Sequence, residues 1–307
     1  MRDSVFHILA EAARTGERVA LGIITGVKGS SPQKVGAKAL FYSDGRIEST
    51  LGGGCLEAEV QQRAIRSLQT NECSKFDLVL DHDFGWDDGL ICGGKVFGLI
   101  LPNAQDKGER FWRELAERNA ERTWAVTDDF SIVGIDDADS GSVFLYQEII
   151  HPPCNLWIAG AGHIAQAVAP FAVQLDFKVS VFDDRPALAN HRFFPEAVHI
   201  STEDWSKLAT RPFPGKPTFG LIVTRGHRHD ALVLRDWIQK PFAFVGMIGS
   251  ARKARIIFDH FVEEKIATAE QIQRIACPVG IDIDSKTVAE IAVSIVAQLI
   301  EKRAGLR

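Results

Sequence analysis

Two cysteines in this chain stand among glycines, and their surroundings invite chemistry. Cys55 lies in LGGGCLEAEV, where three glycines open a helical pattern. The partial positive charge of a helix N-terminus favours an anionic sulfur, and soft sulfur ligands suit transition metals. Gly52, Gly53 and Gly54 would let a ligand approach the backbone and leave N–H groups free for an anion. Cys92 lies in GLICGGKV, again beside paired glycines. Two cysteines so flanked point to a shared site. The glycines would equally serve a tight turn around a small buried thiol, and the residues alone leave both readings open. Cys73 and Cys277 lack such context and read as structural, and Cys154 as incidental.

Three further segments carry candidate polar contacts. GSSPQKVGAK offers Ser30, Ser31 and Lys34 as hydroxyl and ammonium donors, unless it is simply a solvated loop. RGHRHD places His227, His229 and Asp230 after a strand end. A metal cluster there would need a third His or Cys at ligand spacing, so a hydrogen-bonding loop is the stronger reading. IGSARK puts Ser250, Arg252 and Lys253 at a strand-to-helix turn, where they could meet a phosphate or form a basic surface turn.

A nucleotide fingerprint occupies LWIAGAGHIAQAVAPFA. Gly160, Gly162 and Ala165 form GxGxxA, which is weak alone. Here it ends an apolar strand and opens a helix, as its mechanism requires. Gly160 allows the tight turn, Gly162 a close pyrophosphate, and Ala165 close helix–strand packing. Asp183 closes the next strand about 20 residues on, where an acid would bond a ribose hydroxyl. Pro170 removes one hydrogen bond inside the first helix. A short-chain dehydrogenase is disfavoured, because neither Tyr42 nor Tyr146 has a lysine four residues later. GLICGGK imitates a phosphate loop, but Val96 stands where Ser or Thr must hold magnesium.

The positioning elements fall into two sets. Residues 1–150 read as an α+β domain: a helix over 3–15 stopped by Gly16, a strand to Val27, a hairpin around Ser43–Arg46, and the helix after Gly54. Strands FDLVL and KVFGLILP follow, then a helix over 106–119 and a β-meander over 123–150. HPPCN is a linker. Residues 155–307 alternate apolar strands with helices, the mark of a parallel sheet covered on both faces. The fold class is therefore α/β, a C-terminal Rossmann-like parallel sheet with an N-terminal α+β domain. The chain has 307 residues, a net charge of -5 and five cysteines. That balance disfavours a nucleic-acid partner, and the odd cysteine count disfavours a disulfide framework. No apolar run reaches the ~20 residues of a membrane helix, and the first residues lack a secretion signal, so the expected setting is cytoplasmic with no membrane partner.

Taken in order, GSSPQKVGAK, LGGGCLEAEV, GLICGG, LWIAGAGHIAQAVA, VFDDRP, TRGHRHD, VGMIGSARKARII and CPVGIDIDSKTVAEIAVSIVAQLI resemble the XdhC/CoxI family of accessory proteins for molybdenum hydroxylases such as xanthine dehydrogenase. The resemblance covers most of the chain and is thinnest over 105–152. It implies a protein that binds molybdenum cofactor (molybdopterin), assists its sulfuration and delivers it to an apo molybdenum hydroxylase. A cysteine desulfurase as partner and a homodimer belong to the same implication. The family's Gly-flanked cysteine maps onto Cys55, a candidate molybdenum contact, and its CGG segment onto Cys92. Cys277 before Pro278 and the GIDID turn depart from the family pattern. The competing reading is an NAD(P)-dependent oxidoreductase with another nucleotide or NAD(P) in the Rossmann domain.

Overall fold

The computed structural model describes residues 4–29, 31, 33–80, 94–202, 204–215 and 217–306. They form two compact units, Met1–Pro152 and Pro153–Arg307. The first begins with α1 (Val5–Thr15), capped by the Ser4 side chain and ended by Gly16 in the left-handed conformation. Its Phe6, Leu9 and Ala12 face inward at helical spacing. Strands β1 (Ala20–Lys28), β2 (Lys38–Phe41) and β3 (Ile47–Ser49) precede the long helix α2 (Gly54–Thr70), and β4 (Ser74–Leu80) and β5 (Gly94–Leu101) follow it. The five strands make an antiparallel sheet in the order β3-β2-β1-β5-β4.

Beyond β5 the expected helix over 106–119 is divided. A short 3-10 turn, Ala104–Lys107, is separated from α3 (Glu109–Glu117) by Gly108, whose φ of 101° no helix accommodates. Strands β6 (Arg122–Thr127), β7 (Ile132–Gly134) and β8 (Phe144–Ile150) form a second antiparallel sheet. Its order, β7-β6-β8, is not that of the expected meander. The central place goes to β6, whose Trp124 and Val126 are fully buried, and β8 passes the short β7 to pair with it.

The two sheets of this unit share an aromatic core. Phe6 stacks on Trp112 at 6.0 Å, and Trp124 meets Tyr146 edge-on at 5.5 Å. Within it sits Lys38, whose side chain is only 8% exposed. Its Nζ lies 2.7 Å from Glu148 Oε2 and faces the rings of Phe6, Trp124 and Tyr146. Burial lowers the Lys38 pKa, and Glu148 opposes that shift without cancelling it. Glu148 also accepts from Trp124 Nε1 at 2.9 Å. The pair thus ties β2 to β8.

The second unit is a six-stranded parallel sheet in the order β11-β10-β9-β12-β13-β14. Its strands are β9 (Asn155–Ala159), β10 (Lys178–Asp183), β11 (His199–Thr202), β12 (Thr218–Ile222), β13 (Phe244–Met247) and β14 (Ile275–Ala276). The helices are α4 (His163–Gln174), α5 (Trp205–Ala209), α6 (His227–Trp237), α7 (Ala251–Glu263), α8 (Ala269–Gln273) and α9 (Val288–Ala304). This is the doubly wound Rossmann order, with the reversal between β9 and β12. Pro170 sits inside α4 on its exposed side, and the helix runs on to Gln174. Both faces of the sheet are covered, by one cluster around Leu156, Ile158 and Val181 and another around Trp157, Phe182 and Trp237.

Asp183, at the end of β10, is 1% exposed and pins the turn after β9. Its Oδ2 accepts from Ala161 N at 2.7 Å and Arg185 Nη2 at 2.8 Å. Its Oδ1 accepts from Arg185 N at 2.9 Å and Arg185 Nε at 2.8 Å. Burial alone would raise this carboxyl's pKa, but the Arg185 guanidinium and the two backbone N–H groups outweigh it and hold it below its usual value.

Two stability predictions follow from these buried charges. Glu148→Ala leaves Lys38 buried without its counter-charge and should cost about 3 kcal/mol in urea unfolding. A cost under about 0.5 kcal/mol would mean that the pair contributes no more than an exposed one. For Asp183 the folded carboxyl titrates below its unfolded value of about 3.9. Its contribution is therefore complete above that pH and is lost as pH falls through the folded value. Asp183→Asn should lower the melting temperature at pH 7 and flatten the acid limb of the melting-temperature profile. Superimposable acid limbs would refute the assignment.

Candidate functional site

In the first unit the sheet topology gathers the sequence motifs at one end. Strand β1 finishes at Lys28, which pairs with Lys95 near the start of β5. Strand β2 runs antiparallel to β1 and starts at Lys38 opposite Ile23, in the middle of β1 and short of Lys28, and Ser49, the last residue of β3, pairs with Ala39. Leu80 and Gly94, which bound the segment carrying Cys92, pair with each other at the same end. The 29–37 loop, the Gly52–Gly54 run and the flanks of that segment therefore leave the sheet together. Ser30 and Cys92 themselves lie outside the described residues. Ser31 is half-buried, and its Oγ accepts from Gln33 N at 3.3 Å, a local turn bond.

The glycine run has unusual backbone. Gly52, Gly53 and Gly54 have φ of 116°, 76° and 60°. Left-handed values in succession are costly for any residue with a Cβ. Space is not the constraint at Gly53, where a Cβ would meet nothing within 4 Å. Leu51 and Leu56 are buried on either side of the run, whereas Gly54 and Cys55 are exposed. Among the described residues no side chain caps α2. Instead Glu57, in its first turn, reaches back to Thr50 Oγ1 at 2.6 Å and Leu51 N at 2.8 Å. Cys55 thus stands at an open helix start, on a loop clamped from below, where the first backbone N–H groups have no intrahelical partner.

In the second unit the fingerprint turn lies at the topological switch point. A Cβ on Gly160 would sit 2.3 Å from Val223 O, and its φ is 112°. Glycine is required there because the turn runs against the end of β12. At Gly162 a Cβ would meet nothing within 4 Å, which leaves the start of α4 open. Asp183, the expected ribose acid, faces the turn, as described above. The next residue, Asp184, accepts from Arg225 Nη2 at 3.1 Å. Asp184 follows β10 and Arg225 follows β12, the strands on either side of β9. Their ion pair therefore reaches across the end of β9.

Farther along the same edge Ser250 caps α7, its Oγ accepting from Lys253 N at 3.2 Å, and Arg252 is exposed beside it. Lys253, read from sequence as a phosphate contact, turns inward. Its Nζ pairs with Asp230 Oδ2 and donates to Ile248 O at 3.2 Å. Asp230, 0% exposed, also accepts from Thr224 Oγ1 at 2.6 Å and Thr224 N at 3.2 Å. This lock between the ends of β12 and β13 escaped the sequence reading, which weighed Asp230 as a metal ligand. The available signal was the pair of strand-to-helix turns, one ending in an acid and the other in a lysine. His227 is exposed, and His229 lies against Trp205 at 5.8 Å. Among the described residues no group of three His, Cys, Asp or Glu is placed to hold a metal ion. Burial raises the Cys277 thiol, as does Asp230, against a lowering by Lys253. Partial desolvation also raises the thiol of Cys73, although that residue is exposed as a whole.

These features match known proteins. Residues 12–79 match the XdhC and CoxI family, and residues 156–299 match the XdhC Rossmann domain. The chain is 26% identical to the uncharacterized protein YqeB of Escherichia coli K12 over 299 residues, which is 96% of this chain but 46% of YqeB, so it spans about half of that relative. It is 24% identical to a Bacillus subtilis 168 protein described as a probable xanthine dehydrogenase subunit, with 97% of each chain covered. A crystal structure from Bacillus halodurans, described as a xanthine dehydrogenase, aligns with a TM-score of 0.83 at 25% identity, covering 100% of this chain and 97% of that one. With glycine run, fingerprint turn and Rossmann order all in place, the chain belongs to the XdhC/CoxI family.

Proposed function

We propose that this chain is an accessory protein of a xanthine dehydrogenase-type molybdenum hydroxylase. In this reading it binds molybdenum cofactor, assists its sulfuration and passes it to the apo-hydroxylase in the cytoplasm. The observation that carries the reading is the gathering of the 29–37 loop, Gly52–Cys55 and the flanks of the Cys92 segment at one sheet end. Similarity along nearly the whole of a relative described as a probable xanthine dehydrogenase subunit supports the partner.

The residues present suit the cofactor in kind. Its phosphate would meet the uncapped N–H groups at the start of α2. Cys55 and Cys92 would offer soft sulfur near its metal, with Ser30 and Ser31 as hydroxyl donors. The cofactor supplies a molybdenum centre with sulfur ligands. The chain's own part is to hold it, orient it and limit its contact with water. In the second unit Gly160 and Gly162 would hold a phosphate-bearing ligand, with Ser250 and Arg252 farther along the same edge. A cysteine desulfurase as sulfur donor and a homodimer as the working form complete the proposal.

Co-expression with cofactor synthesis should yield protein that retains molybdenum and pterin. Cys55→Ala changes an exposed side chain and should alter stability by less than about 0.5 kcal/mol. It should nevertheless reduce retained molybdenum at least tenfold and impair activation of apo-hydroxylase. Full retention with full activation would exclude a role for Cys55. Gly53→Ala should cost about 1 kcal/mol by backbone strain alone and weaken pterin retention through the altered turn. Normal retention by that variant would show that the glycine conformation does not serve the ligand.

A further inference from the structure

Two neighbouring helices of the Rossmann unit present an outer surface that their own packing does not explain. Val233, Leu234 and Trp237 of α6 and Ile257 and Phe261 of α7 fill the same core cluster, so the two helices lie side by side on one face of the sheet. Their opposite faces therefore turn to solvent together. On α6 that outer face carries Arg228, Leu232 and Arg235, at the i, i+4, i+7 spacing of a single stripe. On α7 it carries Arg255 and Ile256, with Arg252 one turn earlier. Leu232 is 55% exposed and Ile256 62%. Neither is needed to seat its helix, because the buried residues of each helix already do so.

A lone exposed aliphatic means little, because roughly half or more of a protein's surface is apolar. The charges around this pair carry more information. Arg228, Arg235, Arg252 and Arg255 are all exposed, and among the described residues none has a side-chain hydrogen bond or ion pair. The chain has 40 acids against 35 bases, so counter-charges are not scarce. The acids of α6 are already engaged, Asp236 by Lys240 and Asp230 by Lys253. Asp259 and Glu263, the outward acids of α7, stand in its later turns. The unpaired cations are all arginine, the residue that protein interfaces favour over lysine: a planar guanidinium takes a carboxylate by two parallel bonds and still stacks on apolar surface. A nucleic-acid backbone would leave Leu232 and Ile256 unused.

We infer that the outer face of α6 and α7 docks a protein partner whose surface is acidic and offers apolar recesses to Leu232 and Ile256. The inference rests on the proposed accessory role and deepens it, by assigning the surface that meets the client hydroxylase. The arginines steer the encounter and pair with the partner's carboxylates, and the two aliphatic side chains supply the contact that excludes water. Both helices start at the strand-end edge, α6 after β12 and α7 after β13, so the docked partner adjoins that edge.

Biolayer interferometry of the full chain against the cognate apo-hydroxylase, at low and high salt, tests this. The variants are Arg228→Glu/Arg235→Glu, Leu232→Ser/Ile256→Ser and, as a charge-matched control in the first unit, Arg66→Glu/Arg110→Glu. Arg252 stays in place because it also belongs to the proposed ligand edge. All the changed side chains are exposed, so each variant should keep the parent's melting temperature. The arginine and aliphatic variants should each weaken binding about tenfold or more, the first by slowing association and flattening the salt dependence. The control should bind as the parent does. Unchanged binding in both α6–α7 variants overturns the face and leaves the accessory role standing, and so does an equal loss in the control. If the parent chain does not bind the hydroxylase, both the face and the accessory role fall. Duplex DNA and phosphatidylserine vesicles are titrated in parallel. Binding to either that the arginine variant abolishes, with the hydroxylase unaffected, overturns the assignment to a protein partner.

Discussion

At Gly160 the end of one strand runs so close to its neighbour that a Cβ would lie 2.3 Å from Val223 O. The backbone there also has a φ of 112°, which favours glycine for a second reason. Much of the strand-end edge of the second unit depends on this contact. It lets β9 end tightly beside β12, so that α4 starts at the reversal of strand order. Asp183 then reinforces the turn from the other side by accepting from Ala161 N. A backbone held from both flanks presents its N–H groups with little reorganisation, which is what an anion site at a helix start requires.

The first unit meets a similar demand by other means. Its glycine run carries left-handed φ values, and the run is anchored by buried Leu51 and Leu56 and by the Glu57 bonds to Thr50 and Leu51. Behind the neighbouring 29–37 loop, Lys38 is buried among aromatic rings and joined to Glu148. A buried ion pair contributes little net stability but is expensive to break, so it acts chiefly to hold one arrangement of β2 against β8. The helix start in the second unit thus rests on a buried and fully paired carboxylate, whereas in the first unit Leu51, Leu56 and Glu57 hold the glycine run and the Lys38–Glu148 pair braces a separate cluster of the core.

The periodicities made most of the fold legible. Alternating apolar strands and helices after HPPCN implied a parallel sheet, because strands buried on both faces read as continuous apolar runs. Only β14, two residues long, was too short to leave a pattern. The meander failed because pattern reports that strands exist, not which of them takes the centre. The helix over 106–119 was cut at Gly108 because that residue adopts a conformation a helical stripe does not reveal.

Residue types and short-range spacing determined the family resemblance, the fold class and the identity of the glycine turns, since turn chemistry and helix starts are local. Tertiary structure decided what each polar side chain faces. It turned Asp183 and Lys253 inward, onto Ala161, Arg185 and Asp230, and left Asp184 Oδ1 without a partner. It also brought the 29–37 loop, the Gly52–Gly54 run and the residues flanking the Cys92 segment to the same end of a sheet through strand pairings between residues far apart in the chain. Spacing cannot specify such outcomes, because a carboxylate at a strand end has several donors within reach. Which one it takes depends on long-range packing.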